Sequence, residues 1–136
     1  MRRVLVDAGP LVAIVSERDQ HHRVCQELLN SLRPPLLTCW PTLTEAAWLL
    51  RNRTHALRKL LDSCSSGFFH LLELDEHAPA WIADFLRRYE KLGAQLADAA
   101  LVYLAEREKI DTVFTLDRRD FSVYRLAGGR GLKLLP

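Results

Sequence analysis

Short β-prone runs alternate with helix-forming segments along this chain, and no other feature narrows its fold so far. Residues 2–6, 36–39, 68–74, 112–116 and 132–135 carry the apolar and β-branched content of strands. Between them, residues 11–15, 20–32, 41–53, 55–65, 79–91 and 95–109 read as helices. Val24, Leu28, Leu29 and Leu32 recur at the spacing that gathers apolar side chains on one helical face. Pro34-Pro35 then stops the run, because proline has no amide hydrogen and clashes with the preceding turn. Pro41 and Pro79 suit the first turns of the helices they open. Gly9-Pro10 reads as a turn after the first strand, the residues leading to Phe121 as another, and Gly128, Gly129 and Gly131 as one loop. Parallel strands need crossovers, which the intervening helices provide. The expected fold is therefore α/β: a central, mostly parallel β-sheet flanked by α-helices on both faces. No repeat, linker or low-complexity stretch divides the 136 residues, so a single domain, 1–136, is expected. That length buries roughly two-thirds of its unfolded surface around one core.

Composition removes several functional classes. Apolar residues at 49% and charged residues at 26% describe a globular chain, not a disordered or disulfide-built one. Met1-Arg2-Arg3 has the charge of a signal-peptide start, but Asp7 breaks the apolar run and Glu17-Arg18-Asp19 follows without a small-residue cleavage site. A cytoplasmic protein is expected. No apolar run approaches the roughly 20 residues of a membrane span. Cys25, Cys39 and Cys64 are odd in number and lack zinc-knuckle spacing, which reads as reduced packing residues. His21, His22, His55, His70 and His77 include no i, i+4 pair of the kind that binds zinc on a helix. The net charge of +2 permits a nucleic-acid partner. Basic side chains fall in three groups: Arg51, Arg53, Arg58 and Lys59; Arg87, Arg88 and Lys91; and Arg118-Arg119 beside Asp117 and Asp120. Each group taken alone is also what a solvated helix face looks like.

The stretch VLVDAGPLVAIV, residues 4–15, places an aspartate between two apolar segments. A carboxylate among buried neighbours costs desolvation unless something pairs with it. Three further acids occupy comparable places: Glu45 early in the helix after the second strand, Asp98 in the first turn of the helix before the fourth strand, and Asp117 directly after that strand. Open α/β sheets bind ligands outside the carboxyl ends of their strands, so these four acids are expected on one edge. Each has a local alternative. Asp7 can accept from backbone amides of its turn, and Asp117 can close an Asx turn. Thr42-Leu43-Thr44-Glu45 matches a capping box. Asp98 suits the positive end of its helix, although Ala97, Ala99 and Ala100 imply a crowded setting. Four such coincidences on one edge explain less than a single shared cause. Converging carboxylates repel one another unless a cation compensates, and hard oxygen ligands suit Mg2+, with Mn2+ as the alternative.

Four stretches, VLVDAGPLVAIV, LTEAAWLL, LADAALVYLAE and TLDRRDF, follow in this order across nearly the whole chain. Together they resemble the PIN-domain ribonucleases, especially the VapC-type toxins of toxin–antitoxin pairs. The resemblance implies a PIN fold, divalent-metal-dependent cleavage of RNA, a homodimer, and a small antitoxin protein whose tail lies across the active-site groove. It carries catalytic and metal-ligand roles onto Asp7, Glu45, Asp98 and Asp117. Many relatives have Ser or Thr two residues after the first aspartate, where this chain has Gly9; Thr115 is an auxiliary candidate to supply the hydroxyl instead. Asp120 is a second auxiliary candidate, ranked below Asp117 because it lies farther from the strand end. Arg118, Arg119 and Arg51 are the candidates for holding the RNA backbone. An acidic groove admits an unpaired strand where a stiff duplex cannot follow, so single-stranded or loop RNA is the expected substrate.

Other readings keep some of the same residues. A non-catalytic RNA- or partner-binding module would use the acids for metal-stabilised structure, and a solitary RNA-processing PIN nuclease would have no antitoxin. A haloacid dehalogenase-type phosphatase needs a second acid two residues after the first aspartate, where Gly9 stands. The acidic pair and lysine of a receiver domain are not evident. Trp48, Leu49, Trp81 and Phe85 are divided between a partner surface and the core.

Overall fold

Side-chain alternation inside short strands decides how the layers form. In the computed structural model, which describes residues 2–136, one sheet contains β1 (Leu5–Val6), β2 (Leu36–Thr38), β3 (Phe69–Leu71), β4 (Thr112–Phe114) and β5 (Lys133–Leu135). The strand order is β3-β2-β1-β4-β5 and every pairing is parallel, with Leu5 opposite both Leu37 and Val113. The sheet is thus wholly parallel where a mostly parallel one was expected. Leu5, Leu37 and Val113 face one layer, while Val4, Val6, Leu36 and Phe114 face the other.

Helices cover both faces: α1 (Ala8–Val15), α2 (His22–Ser31), α3 (Trp40–Leu49), α4 (Thr54–Ser65), α5 (Ala78–Arg88), α6 (Leu96–Glu108) and α7 (Arg118–Phe121). Residues of α1 to α4 pack with Val4, Val6 and Phe114; residues of α5, α6 and α7 pack with Leu5 and Val113. Helix α6 is buried from Ala97 to Ala105. Its small alanines let it lie against both α3 and α5. No helix among the described residues is long and apolar enough to cross a membrane.

Several element limits differ from expectation. The β-prone runs at 2–6 and 68–74 contract to Leu5–Val6 and Phe69–Leu71, since only residues with a neighbouring strand complete a ladder. Gly9-Pro10 is not a turn but part of α1, because the first helical turn requires no amide hydrogen from Pro10. The helix expected at 41–53 ends at Leu49, and Arg53 in the following turn donates to Ser16 Oγ at 2.5 Å, tying it to the end of α1. Arg118–Phe121 forms a helical turn. Gly128 and Gly129 have φ of 82° and 79°, a conformation that reserves the loop before β5 for glycine. The expected domain limit at Met1 lies outside the described residues.

The strand order places β2 and β3 on one side of β1, and β4 and β5 on the other. Connections therefore leave in opposite directions between β1 and β4, opening a crevice beyond their carboxyl ends.

Candidate active site

That crevice is a cleft of about 440 Å³ whose lining includes Asp7, Glu45, Asp98, Asp117 and Asp120. Asp7 enters it directly after β1 and the 115–117 segment directly after β4. Thr115, fully buried, connects the two: its hydroxyl donates to Asp7 Oδ2 at 2.8 Å and accepts the Asp117 amide at 3.0 Å. Asp7 Oδ1 is buried with no hydrogen-bond partner. Burial pushes the Asp7 carboxyl up to about 6; the Thr115 bond opposes the rise, and the Glu45 and Asp117 charges add to it. The adjacent Ala8 amide also opposes the rise.

Asp98, in the first turn of α6, is 8% exposed, and its Oδ2 accepts the Tyr124 hydroxyl at 2.7 Å. Burial pushes it too up to about 6; Tyr124 opposes this, and Asp7, Asp117 and Asp120 contribute repulsion. Glu45 is half-buried, and its carboxyl is raised by burial and by the charges of Asp98 and Asp117. The alternative of a capping box at Thr42 fails, because α3 starts at Trp40 with Cys39 as N-cap. Thr42 is inside the first turn, its hydroxyl 3.4 Å from Cys39 Sγ.

Asp117 does serve its local turn: Oδ1 accepts the Asp120 amide at 3.1 Å and caps α7. Its other oxygen is not needed for the cap. Asp120, ranked below Asp117 from the sequence, sits in the tightest acid group: one carboxylate oxygen from each of Asp98, Asp117 and Asp120 lies within 4.8 Å of the others. The helical turn of α7 is the reason, since residues three apart share a side. The Asp120 carboxyl is raised by burial and then by Asp117. The spacing within TLDRRDF held this signal.

The three proposed RNA-holding arginines differ. Arg118 donates to the Pro136 carbonyl at 2.7 Å, and Arg51 lies 4.0 Å over the Trp48 ring while donating to the Trp48 carbonyl at 2.9 Å. Arg119 is 86% exposed and 3.9 Å from Asp120, too solvated to offset the cleft charge. No Lys or Arg among the described residues forms a salt bridge with Asp7, Glu45, Asp98 or Asp117. Of the partner-surface candidates, Phe85 is buried and Trp81 half-buried, whereas Trp48 and Leu49 are exposed. Sequence reasoning missed Tyr124 entirely; nothing local distinguishes it from a core aromatic.

An unpartnered buried carboxylate oxygen, all-oxygen donors and crowded negative charge fit a hard divalent cation better than any group the chain itself supplies. The class so defined is an α/β domain with an acidic, cation-seeking cleft where its strand order reverses. The chain matches the PIN domain over residues 4–127 and belongs to that family. It is 27% identical over 135 residues to Ribonuclease VapC26 of Mycobacterium tuberculosis (strain ATCC 25618 / H37Rv), covering 98% of this chain and the whole of that relative. Two solved structures share the fold. The crystal structure of Mycobacterium tuberculosis VapC20, described as a Sarcin-Ricin loop cleaving toxin, superposes with a TM-score of 0.78 at 18% identity, over 85% of this chain and 91% of that one. A toxin-antitoxin complex from Klebsiella pneumoniae gives a TM-score of 0.70 at 16% identity, over 98% and 96% of the respective chains.

Proposed function

We propose that this protein is a divalent-metal-dependent endoribonuclease acting as the toxin of a toxin–antitoxin pair. The observation that carries the reading is the buried, unpartnered Asp7 Oδ1 in a cleft of five acids. The ribonuclease name of its near full-length relative supports the substrate class. Asp7, Glu45, Asp98 and Asp117 hold the metal, Mg2+ or alternatively Mn2+, with Asp120 beside them. When bound, the cation supplies charge neutralisation at the scissile phosphate and Lewis-acid activation of the attacking water.

The chain's own side chains prepare the site. Thr115 fixes Asp7 through Oδ2 and leaves Oδ1 for the cation. Asp117 caps α7 through one oxygen, which orients the other. Arg119, exposed beside the acids, is the best placed of the three arginines to meet an RNA phosphate. The acidic cleft favours single-stranded or loop RNA, whose unpaired strand can enter where a stiff duplex cannot follow. Exposed Trp40, Trp48 and Leu96, which line an apolar groove shared with Glu45, give an antitoxin segment a surface beside the acids. A homodimer would use the apolar groove along α5 lined by Leu74, Ile82 and Leu86. RNA as substrate accords with a cytoplasmic location.

The test is cleavage of mixed single-stranded and structured RNAs by purified protein with Mg2+, Mn2+ or EDTA, beside Asp98→Asn. Metal-dependent cutting that the variant lacks is the expected result. Equal cutting by the variant would sink the assignment, and metal binding without cleavage would favour the non-catalytic binding module. Copurification with the product of the neighbouring reading frame tests the antitoxin, and its absence would favour a solitary nuclease.

A further inference from the structure

The Tyr124 ring is fully buried, with the rings of Phe85, Tyr89 and Phe121 centred 4.9, 5.0 and 5.1 Å away. A phenylalanine would fill the same space. The hydroxyl adds a desolvation cost unless satisfied, and its partner is Asp98 Oδ2 at 2.7 Å. The backbone that carries the ring is fixed separately. The Arg125 guanidinium donates to the carbonyls of Ser122, Val123 and Tyr124 at 2.7, 3.2 and 2.9 Å, and the Tyr124 amide donates to the Asp120 carbonyl at 3.4 Å. Asp98 therefore meets a donor whose position does not depend on it.

Asp7 is held in the same manner. Thr115 donates to its Oδ2, and its Oδ1 is left without a partner at the cleft. The two most buried acids of the site are each anchored through one oxygen by a hydroxyl, and both hydroxyls come from residues 115–124. The same ten-residue segment contributes Asp117 and Asp120.

We propose that Tyr124 is a positioning residue for the metal-holding carboxylate of Asp98, fixing Oδ2 so that Oδ1 is presented to a divalent cation. The proposal rests on the metal-dependent reading of the cleft. A purely structural hydroxyl would stabilise the fold without altering metal affinity, and this separates the two roles. Tyr89 provides the control: it belongs to the same aromatic cluster, but its hydroxyl accepts the Arg125 amide at 3.1 Å.

The experiment measures Mn2+ binding by electron paramagnetic resonance of the free ion, together with metal-free melting temperature. It compares wild type, Tyr124→Phe, Tyr89→Phe and the ligand-loss reference Asp98→Asn. Tyr124→Phe is expected to weaken Mn2+ binding about tenfold, the scale of lost outer-shell hydrogen bonds, with a melting temperature near that of wild type. Tyr89→Phe should bind as wild type does. Replacing Tyr124 with 4-aminophenylalanine, which keeps a donor at the same ring position, should restore most of the affinity, and this protein carries the test if the phenylalanine variant does not fold. Wild-type affinity in Tyr124→Phe, an equal loss in Tyr89→Phe, or no recovery with the amino analogue would each overturn the proposal. A wild type that binds no Mn2+ would overturn the metal reading itself, and the proposal with it.

Discussion

Asp75 and Asp98 each accept a hydrogen bond from a tyrosine, Tyr103 at 2.5 Å and Tyr124 at 2.7 Å, yet their carboxyls move in opposite directions. Asp75 is held down at about 2, first by the Tyr103 hydroxyl and next by the Arg107 hydrogen bond. Arg107 reaches Asp75 Oδ2 at 2.9 Å and the Glu73 carbonyl at 2.7 Å, clamping the segment between β3 and α5 onto α6. Asp98 is pushed up to about 6 because burial outweighs its tyrosine and its charged neighbours are all acids. The donor is the same in both places; the difference is burial and an in-chain cation. An acid that the chain neutralises completes a clamp, whereas buried acids left with only one another call for a cation from solution.

The contrast can be broken most sharply at Asp98. Asp98→Asn should lower RNA cleavage by more than about a hundredfold, since it would remove one of the proposed metal ligands, while raising the metal-free melting temperature at neutral pH by relieving repulsion. Thermal melting with and without Mn2+ checks the second part: wild type should gain stability from the ion and the variant should not.

The pH dependence comes next in size, and its sign differs between the two regions. Asp7 and Asp98 bind protons more tightly in the folded than in the unfolded chain, so their contribution is fully present below about pH 4 and lost as pH rises towards 6. Each shift corresponds to at most roughly 3 kcal/mol. Asp75 has the reverse sign, its contribution being present above about pH 4 and lost as pH falls towards 2. Metal-free melting temperature should therefore rise from pH 7 to about pH 5 and fall again below pH 4. A flat profile from pH 7 to 5 would contradict the burial assigned to Asp7 and Asp98.

A smaller effect is expected at the clamp. Asp75→Asn should lower the melting temperature by a few degrees and leave Mn2+ affinity unchanged; a changed affinity would mean that the two regions are coupled. The smallest effect concerns Gly9, where an added Cβ would meet Leu116 Cδ1 at 3.4 Å, an ordinary contact. Gly9→Ser should be accommodated and alter stability by only about 0.5 kcal/mol, in the stabilising direction because serine has the better helix propensity. Denaturant melts would detect a larger loss if the α1–Leu116 packing were tighter than it is.

The alternation of strands and helices was legible because periodicity is local, and so were the places of Asp7, Asp98 and Asp117 beside element ends; Glu45, expected early in its helix, lies in the middle of α3 because that helix already begins at Trp40. Gly9-Pro10 misled because the same dipeptide suits a turn and a first helical turn, and only the backbone path after β1 distinguishes them. Thr42 misled in a similar way: a Thr42 cap needs a helix that begins at Leu43, and α3 begins three residues earlier, at Trp40. Distance along the chain set Asp120 apart from Asp117, whereas α7 folds it back beside Asp117 and Asp98.

By itself the sequence determined which residue types stand at strand and helix ends, since hydrophobic period and turn chemistry act over a few neighbours. Tertiary structure alone decided which of them meet. Thr115 reaches Asp7 across 108 positions and Tyr124 reaches Asp98 across 26, contacts that exist only once α6, β1 and β4 are packed. The protonation of the acids was decided at the same level, because burial and opposing charge arise from neighbours that are distant in the chain and adjacent in the fold.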